Sequence, residues 1–384
     1  MKYISEFRDP SLAQALAKAI QRESDPSNHY RLMEFCGGHT HAIYRYGLKD
    51  LLPDNVEFIH GPGCPVCVLP ASRIDQAIKI QSKSDAILCT YADLMRVPAT
   101  KGHSLLKAKA HGADIRMVYS PVDALRISQQ EPDREVIFFA LGFETTTPPT
   151  AVIIKAAEAL GLKHFSVFCN HVLTPAALEA ILNPPDQQIN VDGFIGPSHV
   201  STIIGSDVYK PFARQYQKPI VIAGFEPLDI LQSILMLIKQ LNKGSYTVEN
   251  QYKRAVSSSG NTKAQMLTAE VFDVVDQFTW RGLGELPDSA LRINNRYKYL
   301  DAEEKFPVEM TVVSEHKHCL CPSVIRGRNK PLDCKLFAKA CTPENPLGAC
   351  MVSSEGACAA YWSYGRFKDE AAFQPAPQEV KIYK

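Results

Sequence analysis

The chain has 384 residues, too many for one ordinary domain and enough to bury a sizeable core, so two or three domains are expected. Its 42 Lys and Arg against 41 Asp and Glu leave a net charge of +1, which offers no electrostatic footprint for nucleic acid and no polybasic patch for a membrane surface. The 11 cysteines, an odd number, suit metal-binding or catalytic thiols in a reducing cytoplasm better than a disulfide framework.

In chain order, "MKYISEFRDPSLAQALAKAIQRE" has no apolar core of signal-peptide length. It reads as an amphipathic helix opening after Asp9-Pro10, so the mature chain is expected to begin near Met1. Short β-rich runs follow, each ending in a glycine or polar loop: "RLMEFCGGHT", "VEFIHGPGCP", "AILCTYAD", "IRMVYSP", "EVIFFALGFETT", "FSVFCNH", "GFIGPSH" and "PIVIAGFEP". Helix-compatible segments such as "ASRIDQAIKIQSKS" and "TAVIIKAAEALGL" lie between them, and this alternation predicts βαβ units around buried parallel sheets. Four strands before about residue 125 and four after it predict an α/β domain over 1–125 and a second over 126–240. The expected architecture is two Rossmann-like parallel-sheet domains facing a cleft, with strand-end loops lining it. From 241 to 384 the pattern changes to helix signals, loops and a cysteine-rich tail, read as a mostly helical and irregular C-terminal domain. The longest apolar stretch, near Ile230–Ile238, is about half of the roughly 20 residues a spanning helix needs, and a soluble protein is expected.

The chemistry-bearing residues sit at strand ends. Cys36-Gly37-Gly38-His39 leaves a strand where a helix can start, a position that would favour a reactive thiolate, and the two glycines can aim N–H groups at an anion. Cys64-Pro65-Val66-Cys67 has the spacing of a reversible disulfide, yet Cys36-x-x-His39 with Cys64-x-x-Cys67 would equally make a Cys3His zinc site. Glu144 in "GFETTTPPTA" can act as acid, base or helix cap, while His171 and His199 read as structural hydrogen-bonders. Cys89 and Cys169 lie in apolar strands and read as small buried hydrophobes. In the tail, Cys321-x12-Cys334-x6-Cys341-x16-Cys358 offers four thiolates for an iron-sulfur cluster or a tetrahedral zinc, with Cys319 and Cys350 as spares. No GxxxxGK[ST], HExxH, GxSxG or strand-following GxGxxG occurs, which removes support for P-loop, zincin, α/β-hydrolase and standard dinucleotide chemistry.

Taken together, "CGGHTH", "GPGCPVCVLP", "LGFETTTPPTA", "GPSHVSTIIG", "GFEPLDIL", "VENQY" and "MVSSEGACAAYW" resemble the HypD family of [NiFe]-hydrogenase maturation proteins, in order and over almost the whole chain. The resemblance implies a complex with a small HypC-type chaperone, on which an Fe(CN)2(CO) unit is assembled with cyanide from a HypE-type protein. It implies Cys36 as an iron ligand shared with a partner thiolate. Cys64 and Cys67 become a dithiol or disulfide beside it, with some descriptions of the family counting all three as iron-binding. It also implies a [4Fe-4S] cluster on Cys321, Cys334, Cys341 and Cys358. On this reading Cys36, His39, Cys64, Cys67 and Glu144 are the candidate catalytic residues. The family's usual Cys-Gly-Glu-Val is Cys321-Pro-Ser-Val here, and its Cys-Pro-Leu-Phe-Gly is Cys334-Lys-Leu-Phe-Ala. These departures keep the thiolates and alter the surroundings that tune a cluster's potential. The rival readings are a passive assembly scaffold with a structural cluster and a stand-alone thioredoxin-like disulfide oxidoreductase.

Overall fold

A computed structural model describes residues 4–184, 190–309 and 316–365. The first expected helix runs Pro10–Glu23, and the Asp9 carboxylate caps it by accepting from the backbone N–H of Ser11 at 2.8 Å and of Leu12 at 3.0 Å. Nine strands then form two parallel sheets. They are β1 (Tyr30–Glu34), β2 (Val56–His60), β3 (Ile87–Thr90), β4 (Ile115–Met117), β5 (Val136–Gly142), β6 (Phe165–His171), β7 (Gly193–Gly196), β8 (Ile220–Ile222) and β9 (Val248–Asn250). β5 and β6 are buried at every residue, as their unbroken apolar runs require of strands covered on both faces.

The first sheet has the order β2-β1-β7-β8-β9 and the second β4-β3-β5-β6. Neither respects residue 125, because the second sheet is an insertion between β2 and β7, and residues on both sides of 125 enter each sheet. The chain order predicted strands but not neighbours; Leu32 pairs with Gly193 and Met33 with Phe194, partners about 160 residues away. The expected edge at residue 240 also shifts, since β9 completes the first sheet at Asn250. Renumbered within itself, each sheet starts 2-1-3-4, the flavodoxin-like order whose direction of growth reverses between its first and third strands. Ligands collect beyond the carboxyl ends of the strands at such reversals. Here the reversals fall between β1 and β7, and between β3 and β5.

The C-terminal region is less helical than its sequence suggests. It contains an antiparallel ribbon of β10 (Phe272–Val274) with β13 (Leu291–Ile293), and a second of β11 (Gln277–Trp280) with β12 (Gly284–Pro287). Phe272, Leu291 and Ile293 of the first ribbon bury against Phe165, Val167 and Cys169 of β6. Cys169 is thus the small core residue expected, its thiol donating to Leu291 O at 3.2 Å. One core joins everything: Met33 from the first sheet, Phe139 and Phe168 from the second, and Cys334, Cys341, Met351 and Tyr361 from the C-terminal module. Among the described residues no helix is long and apolar enough to cross a membrane.

Candidate metal centre

β1 ends at the first switch point, where Cys36 adopts extended backbone and becomes the N-cap of the helix Gly37–Arg45. β7 ends beside it and starts the helix Ser198–Ile204, whose His199 brings Nδ1 to 3.6 Å from Cys36 Sγ. The His199 ring packs on Phe225 at 4.2 Å between centroids, and His39 packs on the same ring at 4.8 Å. His39 Nε2 donates to Ala223 O at 2.9 Å, so this buried histidine pins the loop after β8. Burial holds it neutral, lowered to about 4.

The Gly61-Pro62-Gly63 turn brings the second motif against the first. Gly37 N donates to Gly63 O at 3.1 Å and Gly61 N to Glu34 O at 3.0 Å. The Gly37 N–H, expected to face an anion, is therefore spent on this junction. Cys64 then caps the short helix Pro65–Val68, its sulfur accepting from Cys67 N at 3.2 Å, and Cys64 and Cys67 are joined as a buried disulfide. The Cys3His zinc arrangement is not formed, since among the described residues no three His, Cys, Asp or Glu side chains gather at metal-holding distance.

The junction depends on glycine at 63. A Cβ there would stand 2.5 Å from Cys36 N, 2.6 Å from Cys36 Cα and 2.7 Å from Phe35 C, all backbone atoms that cannot swing aside. Gly63→Ala is expected to displace Cys36 from His199 and to cost about 1–3 kcal/mol, the usual range for overpacking. Urea denaturation reads this directly, and an unshifted midpoint would show that the junction yields.

Cys36 is not the ready thiolate that its helix position suggested. Burial, followed by the Glu355 charge, pushes its thiol up to about 12, against the pull of the Gly38 and His199 N–H groups, and Glu34 adds a smaller push. Desolvation outweighs a nine-residue helix terminus. Glu34 itself is buried and accepts from His60 Nδ1 at 2.7 Å and from Thr40 Oγ1, tying the ends of β1 and β2 to the helix start. Glu355 was missed from the sequence. It reaches the site because a Cβ on Gly37 would lie 2.4 Å from Glu355 Cβ, a close approach whose one visible signal is the "SSEG" turn before Cys358.

Glu144 follows β5 at the second switch point and is buried. Its carboxylate accepts from Thr174 N at 2.8 Å and Thr174 Oγ1 at 2.9 Å, capping the helix Thr174–Leu182 from outside rather than the helix next to it in sequence. The wholly buried Tyr209 lies in electrostatic reach of both Glu144 and Cys36. Burial raises Glu144 from the ordinary 4.5 to about 7. Between those values the folded chain binds more protons than the unfolded one, so stability falls as pH rises from about 4.5 to 7 and levels off above. Glu144→Gln, isosteric and uncharged, is expected to remove a fall of up to about 3 kcal/mol. Unfolding midpoints across this window check it, and an unchanged pH slope would rule the group out as its source.

The C-terminal module closes over both motifs. Cys319, Cys321, Cys334, Cys341, Cys350 and Cys358 line one small cavity, so the four expected ligands and both spares converge. The four are not equivalent, because Cys321 is paired with Cys350. Cys341 Sγ accepts from Leu347 N at 3.3 Å and Cys321 Sγ from Cys350 N at 3.2 Å. Burial and mutual charge push Cys358 and Cys341 upward, and Cys319 to about 11. Buried thiols with N–H groups aimed at their sulfurs are the donor type that iron-sulfur clusters use, yet among the described residues they are not gathered at metal-holding distance, and Cys321 is held by Cys350. The cavity flanks reach the other cysteines: Glu355 meets Gly37, and the core runs without a break through Cys64, Cys67, Cys350 and Cys358.

Comparison with known proteins shows what the chain is similar to. The family model described as HypD, "Hydrogenase formation hypA family", matches residues 11–365. The chain is 60% identical over 369 residues to "Hydrogenase maturation factor HypD" of Azotobacter vinelandii, covering 95% of this chain and 97% of that protein. It is 60% identical over 373 residues to "Hydrogenase maturation factor HypD2" of Bradyrhizobium diazoefficiens, covering 96% and 98%. To "Hydrogenase maturation factor HypD" of Escherichia coli K12 it is 45% identical over 376 residues, covering 97% and 100%.

Proposed function

The chain belongs to the HypD family of hydrogenase maturation factors, and from that premise we propose that it is both scaffold and redox catalyst for assembling the Fe(CN)2(CO) group of the hydrogenase active site. It works in the cytoplasm, in complex with a HypC-type chaperone, and receives cyanide from a HypE-type protein. One observation carries the reading: Cys36 touches His199 at a switch point and shares a backbone hydrogen bond with the turn that bears the Cys64–Cys67 disulfide.

The iron unit is cargo, and Cys36 is its soft ligand on this chain. Iron binding must drive the ionisation that burial opposes, and the proton has an acceptor in place at His199 Nδ1, 3.6 Å away. Burial lowers His199, so it is neutral at pH 7 and able to take that proton. The Cys64–Cys67 pair stores two electrons in its dithiol form: reduction of the disulfide by two electrons and two protons yields two thiols, and reoxidation re-forms the S–S bond and releases two electrons to the assembling unit and two protons to solvent. Cys321, Cys334, Cys341 and Cys358 would hold a [4Fe-4S] cluster, which when bound supplies one-electron transfer.

The test is infrared spectroscopy of the anaerobic chain with its HypC-type chaperone. CO and CN stretching bands are expected on the complex. Iron-replete complex without such bands would leave a passive scaffold.

A further inference from the structure

Charge is evenly balanced over the chain but not over its surface. Residues 94–113 contain four Lys or Arg and no Asp or Glu, and residues 316–347 contain six against two. The two segments meet where Arg96 donates to Pro343 O at 3.0 Å and to Val352 O at 3.2 Å, carbonyls that leave its charge unneutralised. Between them lies a cleft of about 380 Å³ walled by the cations Arg96, Lys101 and Lys107 and by His103 and His316, against Glu344.

The floor of this cleft is one residue thick. Leu347 lines it, and the Leu347 N–H donates to Cys341 Sγ at 3.3 Å, inside the cysteine cavity. The basic rim continues over the same sulfurs. Asn345, another wall residue, donates to Ala340 O at 3.1 Å beside the exposed Lys339. Cys334 Sγ meets His318 O at 3.8 Å, between the exposed Lys317 and Lys335.

We propose that this cleft docks an acidic one-electron carrier protein, which brings its redox group against Leu347 and delivers the electrons that reduce Cys64–Cys67; the inference rests on reading the cysteine cavity as an electron-transfer centre. Two carriers each lose one electron, the S–S bond breaks, and two solvent protons complete the thiols. A cationic surface beside a redox site steers and orients an acidic partner. No Phe, Tyr or Trp lines the cleft, so it lacks the large stacking platforms of a single-strand nucleic-acid groove.

A plant-type [2Fe-2S] ferredoxin serves as probe, with the full-length chain and a K101E/K335E/K339E variant compared by calorimetry at low and high salt. Binding is expected to weaken about tenfold or more in the variant and to lose most of its salt dependence. Thiols released at Cys64 and Cys67 by reduced ferredoxin should fall in parallel, while release by dithiothreitol stays equal in both chains. Unchanged binding in the variant, or binding of a 20-mer oligonucleotide in place of ferredoxin, would overturn the proposal. Salt-sensitive binding lost in the variant supports the surface even in chains without iron, and iron analysis of the same samples tests the cavity reading separately.

Discussion

A Cys36→Ser chain isolated anaerobically with a HypC-type chaperone is expected to show no CO or CN stretching bands, where the unsubstituted complex shows both. Serine is the sharpest probe here for two reasons. It is a favoured N-cap, so the helix Gly37–Arg45 keeps its start, and it is nearly isosteric in a turn packed against Gly63 and Glu355. Its hydroxyl is a hard ligand, however, and a poor substitute for thiolate on iron carrying cyanide and carbonyl. Cys64 and Cys67 are tied to each other in this state, which leaves Cys36 as the unpaired thiol of the first switch point. Stability should move by less than about 1 kcal/mol, so lost bands would report ligation and not unfolding. Bands of full intensity in this variant would reject Cys36 as the cargo ligand.

The second large effect is expected at Cys358. Cys358→Ser should bring bound iron from about four per chain toward none, with loss of the broad thiolate-to-iron absorption. The consequence should extend beyond the cluster, because the helix Ala357–Ala360 that carries Cys358 continues into Tyr361, whose ring packs on Tyr44 at 4.2 Å and on His60 at 5.5 Å. A module left with unpaired buried thiols should open to proteolysis near residue 350 while both sheets survive. Cys350→Ser is the discriminating companion: it removes the partner of Cys321 and should keep its iron. Iron retained in Cys358→Ser and lost in Cys350→Ser would show that Cys350, not Cys358, completes the set.

The basic cleft proposed for the electron carrier reaches the cysteine cavity through Leu347, whose N–H donates to Cys341 Sγ, while Gly37, next to the proposed cargo ligand, meets Glu355 of the C-terminal module. An electron entering at the cleft has a packed, water-poor interior to cross before the Cys64–Cys67 pair, through residues of one continuous core.

Local pattern was enough to mark the elements and the chemistry they carry. The unbroken runs of β5 and β6 identify buried parallel strands, and Asp9-Pro10 identifies a helix start, because burial period and capping act within a few residues. The motifs bearing Cys36, Cys64 and Cys67, and their order along the chain, were equally legible, and they identify the family. Which sheet each strand joins was settled only by the folded chain, since β1 pairs with β7 through contacts about 160 residues apart that no local pattern encodes. The fold alone set Glu355 against Gly37, turned Glu144 to Thr174, and paired Cys321 with Cys350. It also reversed the expected chemistry of Cys36. A helix N-terminus is a local feature and favours the thiolate, but burial belongs to the whole fold, and at this thiol the cost of desolvation outweighs the helix.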